Sequence, residues 1–405
     1  MRQNKESLKE RFGFNPSIIS MLIMVVLIGM GEKMGERFLP IYLLAIGGST
    51  YAVGALNALD NFLSAIYAYG GGLLSDRFGY KNTLVAVSFL SILGYAIVII
   101  FPSWQAVLIG SIFFISWTAL SLPAILSLIA STLKESKHTM GVSMHSLVRR
   151  IPMAVGPLLG GLIIQAYGIV IGARIAFIVA MIFALIAVFF IHRFVAEPSE
   201  RSPIDLKAGF TRMSKQLRIL LVSDILIRFA EQIPYAFVVV YVMNNLKQSA
   251  VTFSLLTLIE MLTAMFIYIP VALLSEHVRH KTLVAITFFF FAFFPLILSV
   301  STSFWILVIA FVIRGLKEFG EPTRKALIVR LADPDIKASA YGSYYMMRDV
   351  VVSIAALFSA TLWNISPQVN FLSASAFGFL GLALFLKYGN DQRNVSKHDA
   401  ESKLK

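Results

Sequence analysis

The chain has 405 residues, 58% of them hydrophobic and 14% charged, with a formal net charge of +13 and no cysteine. A soluble domain carries about 25% charged residues, so the composition excludes a soluble enzyme or binding module, and the missing cysteines exclude disulfides and thiolate metal sites. The positive excess suits basic cytoplasmic loops of a membrane protein better than nucleic acid.

A membrane-spanning helix needs roughly 20 mostly apolar residues. The sequence predicts twelve, at about 17–46, 51–72, 81–101, 104–132, 139–165, 170–192, 217–244, 250–275, 281–301, 304–331, 338–363 and 367–387. The first apolar run is too long and too charged for a cleavable signal peptide.

The first segment contains GMGEKMGERFLP, with Glu32, Lys33, Glu36 and Arg37 at lipid depth. Glu32 lies roughly 22 Å along the axis at 1.5 Å per residue, near the bilayer middle. Glu32 and Glu36 share one helix face and Lys33 and Arg37 the adjoining one. Buried charges at that depth must be paired or hydrated. The cluster is therefore either self-neutralised structure or a cavity wall that meets solute or proton. The second segment carries a lone acid, Asp60, flanked by Asn57 and Asn61. Such an isolated carboxylate can bind and release a proton as access alternates; the bland reading is an interhelical hydrogen bond. Segments three, six, nine and twelve are nearly free of charge and read as scaffold facing lipid. Segment four has no charge over Ile109–Pro123, and segment five has His145, read as a packing or hydrogen-bonding residue, and the adjacent Arg149 and Arg150.

Residues 193–216 are polar, contain proline and are basic. They read as a cytoplasmic linker between a half at 1–192 and a half at 217–387, with a cytoplasmic tail at 388–405. Segment seven places Asp224, Arg228 and Glu231 at i, i+4, i+7, on one stripe. Segment eight has a lone Glu260. Segment ten has Arg314, Lys317, Glu318, Glu321 and Lys325 nearly on one stripe, with expected i,i+4 pairs Arg314–Glu318, Lys317–Glu321 and Glu321–Lys325. Segment eleven has Arg348 and Asp349. These are candidates for the solute or proton pathway, with structural pairing as the alternative.

With the N-terminus inside, the cytoplasmic loops collect nearly all the loop Lys and Arg, and the opposite side only Arg174 and Lys247. The asymmetry puts both termini in the cytoplasm, in a cytoplasmic membrane. The halves also read as repeats. LLSDRFGYKNTL (73–84) recurs weakly as LLSEHVRHKTL (273–283). Asp60 and Asp76 meet Glu260 and Glu276 at a spacing of 200; Glu32, Tyr42 and Pro123 meet Glu231, Tyr241 and Pro322 at a spacing of 199. Parallel repeats are a known transporter architecture, with sites near the midplane. The chain has no phosphate-binding glycine loop and no metal-ligand or catalytic spacing, so no cofactor, no metal and no enzyme activity are expected, and a gradient, most simply of protons, supplies the energy.

GLLSDRFGYK, Gly72 to Lys81, resembles the loop signature of the major facilitator superfamily, G-x-L-x-D-R-x-G-x-[KR], through Gly72, Leu74, Asp76, Arg77, Gly79 and Lys81. GPLLGG, with Gly156, Pro157, Gly160 and Gly161, resembles the core of that superfamily's antiporter motif, although Pro152 stands where a glycine is usual. The resemblance implies an all-α membrane fold of twelve helices in two six-helix pseudo-repeats, working by alternating access. It also implies a gating latch in which Asp76 meets the N-terminal end of helix eleven, whose dipole favours an anion. The membrane arginine that many drug–proton antiporters carry in helix four is absent here. The expectation is a monomeric secondary transporter, embedded in membrane lipids, that moves a small polar or ionised organic solute with protons. A drug or lipid exporter working by proton antiport is the alternative, and a non-transporting sensor a further one.

Overall fold

The computed structural model describes residues 16–115, 117–133, 145, 148–195, 211–274, 278–333 and 337–391. Every regular element among them is helical. In chain order they are α1 (Pro16–Glu36), α2 (Leu39–Ala45), α3 (Thr50–Phe78), α4 (Tyr80–Ile100), α5 (Trp104–Phe114), α6 (Trp117–Thr132), α7 (Arg150–Tyr167) and α8 (Ile169–Phe194). Then follow α9 (Lys215–Val240), a π-helical turn (Tyr241–Asn245), α10 (Ala250–Leu274), α11 (His280–Ser299), α12 (Phe304–Leu316), α13 (Glu321–Leu331), α14 (Lys337–Ile365) and α15 (Pro367–Tyr388).

Three expected spans are each made of two helices. The first breaks between α1 and α2 because Pro40 has no N–H to offer the Glu36 carbonyl; a tighter bond from Phe38 N to Gly35 O, 3.0 Å, closes the turn. The tenth breaks between α12 and α13 for the same reason, Pro322 leaving the Glu318 carbonyl without its helical donor. There Phe319 N bonds Leu316 O at 2.9 Å. The fourth is divided into α5 and α6. Joining each pair leaves, among the described residues, twelve helical segments in the predicted order. Of the fifth span, residues 139–144 lie outside the described residues, as do 196–210 of the linker and 392–405 of the tail.

Helix starts are set locally. Ser49, Ser103 and Ser366 each accept a backbone N–H of the first turn, from Ala52, Ala106 and Val369, which satisfies a donor the helix cannot. Single residues join α3 to α4 and α7 to α8. Both are glycines at positive φ, Gly79 at 82° and Gly168 at 78°, where a side chain would clash. That explains the glycine in the loop signature. Helix α3 has 29 residues, roughly 43 Å at 1.5 Å each. This exceeds a hydrocarbon core of about 30 Å, so an end of it can stand clear of lipid.

The chain divides into two compact units: unit one is Met1–Pro203 with Ala236–Met261, unit two Ile204–Tyr235 with Leu262–Lys405. In unit one, α1 packs chiefly on α7 and α8. Small residues permit this: a Cβ on Gly31 would lie 2.7 Å from the Ala180 Cα. Met21, Met24 and Ile28 of α1 share a core with Leu84, Ile125, Leu128 and Ala187. In unit two, Leu217, Leu220 and Ile227 share a core with Phe288, Leu327, Tyr344 and Phe385. Close backbone approach and van der Waals contact drive such packing in lipid.

Large apolar side chains also point outwards, among them Phe89 and Leu93 on α4, Ile182 and Phe189 on α8, Phe289 on α11, and Leu380 and Leu386 on α15. These helices are the uncharged segments three, six, nine and twelve. Apolar surface of this extent is untenable in water and natural in lipid, so this is a multi-pass membrane protein.

Candidate functional site

Unit one holds a cavity of about 140 Å³ lined by five charged residues: Glu32, Lys33, Glu36, Asp60 and Arg149. Helix α1 supplies the first three. Lys33 Nζ donates to Glu32 Oε1 at 3.0 Å and also bonds Glu36. Helix α6 supplies Thr118, whose hydroxyl donates to Glu32 Oε2 at 3.2 Å. Beside it, Trp117 and Ser121 line the cavity, and Trp117 Nε1 donates to Ser88 Oγ at 3.4 Å.

Asp60, half-buried on α3, is differently placed. Among the described residues its one hydrogen bond comes from the Ser64 hydroxyl, at 3.5 Å, and no ion pair reaches it. Arg149 stands just before α7, its N–H bonded to the His145 carbonyl at 3.0 Å, and its charge acts on Glu32. His145 is buried and lines the same cavity. The fold thus brings five of the predicted residues to one place. Arg37 lies in the turn after α1 and Arg150 opens α7; neither lines the cavity.

The glycine motif explains how Lys33 reaches its position. A Cβ on Gly156 would lie 2.8 Å from the Lys33 Cβ, and one on Gly160 would strike the Met34 carbonyl. Helix α7 therefore presses its small-residue face onto the charged turn of α1. One turn earlier the roles reverse: Pro152 of α7 fits over Gly29 of α1, whose Cβ would lie 2.9 Å from Pro152 Cγ. The proline that departs from the motif is thus accommodated by a glycine on the partner helix. Gly161 faces Ser254 of α10, whose hydroxyl donates to the Pro157 carbonyl at 2.7 Å.

Unit two holds a second charged cluster. On α9, Asp224, Arg228 and Glu231 form the predicted stripe, with Arg228 bonded to Glu231 and its Nε 3.9 Å from Asp224. Arg228 also donates to Glu321 at 2.6 Å, and Lys317 to Glu231 at 2.6 Å. Arg324, 1% exposed, bonds Asp224 and, at 2.7 Å, Glu321. From α14, the Tyr344 hydroxyl donates to Asp224 at 3.0 Å, Arg348 lies 3.6 Å from Asp224, and Arg348 bonds Asp349 at 2.7 Å. Four carboxylates meet four cations, and the cluster is formally neutral.

Two of the i,i+4 pairs expected along segment ten, Lys317–Glu321 and Glu321–Lys325, are corrected here. The break after Leu316 turns Lys317 towards Glu231, and Glu321 bonds Arg228 and Arg324 across and along the helices, while Lys325 is exposed. Arg314, buried, lies over aromatic rings: its guanidinium is 5.2 Å from Phe294, 5.6 Å from Phe311 and 5.8 Å from Tyr235. Glu318 is half-buried at the break. Glu260 is 1% exposed on α10, below Ser254 and Thr257, and does not line the unit-one cavity.

Of the loop signature, Gly72 lies in α3, Arg77 is exposed with its guanidinium 5.2 Å from the Phe78 ring, Gly79 makes the joint, and Lys81 is half-buried. The side chain of Asp76, and Glu276 altogether, lie outside the described residues. Sequence reasoning missed Arg324, Thr118 and Tyr344. Arg324 had a signal, since it follows Glu321 by three residues in a proline-started turn. The two hydroxyls had none.

A family model described as Major Facilitator Superfamily matches residues 19–230 and again residues 220–404, as a duplicated unit should. An uncharacterised MFS-type transporter of Methanocaldococcus jannaschii is 22% identical over 377 residues, covering 88% of this chain and 91% of that protein. A putative uncharacterised MFS-type transporter of Mycobacterium tuberculosis is 30% identical over 149 residues, 36% of this chain and 35% of that protein. Among solved structures, the nucleoside transporter NupG superposes with a TM-score of 0.79 at 13% identity, covering 92% of this chain and 99% of that one. A POT family transporter in complex with a thioalcohol-conjugated peptide gives 0.78 at 13% identity, covering 94% and 97%. At these identities the structural likeness is one of fold. The chain belongs to the Major Facilitator Superfamily of membrane transporters.

Proposed function

We propose that this transporter moves a small polar or ionised organic solute by alternating access, coupled to protons, in the cytoplasmic membrane with both termini inside and as a monomer. The observation that carries the reading is the unit-one cavity, where charged side chains of both signs surround space for a solute and one carboxylate, Asp60, has no counter-cation among the described residues. A carboxylate so placed is costly at membrane depth unless something neutralises it. A proton does so, and its release as access alternates couples the two fluxes. Glu32, Lys33, Glu36 and Arg149 then form the solute-facing wall.

The unit-two charges take a different part in this reading. Glu231 already holds Lys317 and Arg228, which makes it a poorer proton carrier than Asp60. The network of Asp224, Arg228, Glu321, Arg324, Arg348 and Asp349 serves as a rigid, self-neutralised frame, with Arg314 and Glu318 beside it, and Glu260 is held in reserve as a second coupling acid. The test uses proteoliposomes and a panel of labelled solutes, with and without a pH gradient. Asp60→Asn is expected to abolish gradient-driven accumulation while retaining solute exchange. An Asp60→Asn protein that still accumulates solute against its gradient would place the coupling group elsewhere.

A further inference from the structure

The lining of the unit-one cavity specifies more than polarity. Among the described residues its charged groups are three carboxylates, Glu32, Glu36 and Asp60, against two cations, Lys33 and Arg149, with His145 counted as neutral. One negative charge is in excess. Its location is not ambiguous: Lys33 joins Glu32 and Glu36, Thr118 gives Glu32 a further donor, and Arg149 acts on Glu32. Among the described residues Asp60 receives only the Ser64 hydroxyl. The charges that act on it are those of Glu36, Lys33 and Glu32.

We propose that this cavity takes a small organic cation, an ammonium or guanidinium on a short apolar stem, with the cationic head at Asp60 and the stem along Trp117, Ile115 and Leu122. The inference rests on the transport reading above and adds the class of solute. Three properties of the lining support it. An anionic solute would enter a cavity that already has an excess carboxylate, and like charges at a few ångströms repel strongly in a poorly hydrated site. A neutral solute would leave Asp60 uncompensated. A cation supplies the missing charge and donors, and it meets apolar walls and the indole of Trp117 with the rest of its surface. Size is consistent as well: an apolar cavity of about 150 Å³ accommodates a benzene-sized molecule, so about 140 Å³ fits a head group with a short stem.

The same carboxylate is then claimed by either a proton or the organic cation. Among the described residues, the titratable groups lining the cavity with Asp60 are Glu32, Lys33 and Glu36 from α1 and His145 and Arg149 from just before α7; α6 adds no charge, only the hydroxyls of Thr118 and Ser121 and apolar or indole surface. Because Lys33 stays engaged by two carboxylates, the exchange is centred on Asp60. Binding a cation at a pH where Asp60 carries a proton displaces that proton, so binding weakens as pH falls.

The experiment measures ligand-induced change in Tm and proton release for the full chain in detergent. The probes are butylamine and butylguanidine, with butyrate and butanol as controls matched in stem length. The cations are expected to raise Tm and release up to one proton per chain, with apparent affinity at least tenfold weaker in Asp60→Asn and largely retained in Asp60→Glu. Butyrate and butanol are expected to do neither. The Tm of each ligand-free variant verifies that it is folded. Stabilisation by butyrate equal to that by butylamine, unchanged butylamine binding in Asp60→Asn, or no binding of either cation by the unsubstituted chain overturns the assignment. Cation binding of the expected pattern without pH-driven flux in proteoliposomes would instead uphold the site and remove proton-coupled transport.

Discussion

Arg324 shows what a buried charge demands of its neighbours. Its guanidinium is almost wholly enclosed and is held by Asp224 and Glu321. Removing one partner of such a pair strands the other, at a cost of about 3–5 kcal/mol. Arg324→Ala is therefore expected to lower Tm sharply, and adding Asp224→Asn to recover part of the loss; thermal melts of the single and double variants measure this. Arg324→Lys should also destabilise, since one ammonium cannot reproduce the fork that bonds two carboxylates. Thr118 is a milder case. Thr118→Val removes a single donor to Glu32, worth about 1 kcal/mol, and should change solute affinity more than folding. The bonds of Thr118 to Glu32 and of Arg324 to Asp224 had no signal in the sequence, because they join residues 86 and 100 positions apart.

At the scale of elements, the small-residue face of α7 determines where the charged turn of α1 sits. Gly160→Ala would drive a methyl into the Met34 carbonyl, and backbone cannot retreat as a side-chain tip can. The expected result is a loss of about 1–3 kcal/mol together with impaired transport. Gly70→Ala on α3 is the control: its added carbon would meet nothing nearer than Leu120 Cδ2 at 4.0 Å, so stability should hold or rise slightly. Equal destabilisation by both would show that the α1–α7 seam has no special part. The loop signature belongs to this scale too. Asp76→Asn is expected to impair flux in a protein that inserts and melts normally, and normal flux would remove its gating part. The glycine motif and the loop signature were legible in the sequence as short local patterns, whereas spans one and ten were read there as unbroken and the structure divides each at a proline. That Pro152 rests on Gly29 was not legible, because it needs the rotation of two helices about their axes.

For the whole molecule, the distribution of Lys and Arg predicts an inside N-terminus, and the absence of cysteine offers a clean test. Lys247→Cys, in the turn between the π-helical turn and α10, should react with an impermeant thiol reagent added outside intact cells. Arg77→Cys, in the exposed last turn of α3, should react only after the membrane is opened. The reverse pattern would invert the topology.

The sequence by itself determined that the chain is a multi-pass membrane protein, how many spans to expect, that the two halves repeat, and to which family the chain belongs. Those properties depend on run length, composition and short motifs, which are local quantities. It also marked most of the charged positions, because a charge inside an apolar run is conspicuous wherever its partner lies. Only the tertiary structure decided which charges neutralise each other. Glu231 and Glu32 are repeat partners, yet one is clamped by two cations in a neutral network and the other borders a cavity with a carboxylate in excess. Asp60 and Glu260 are likewise matched in sequence and differ in surroundings, one lining that cavity and one buried on α10 away from it. Ion pairs form over 3–4 Å, while a turn of helix moves a side chain by more than that, so pairing depends on helix breaks and rotations that no spacing along the chain records.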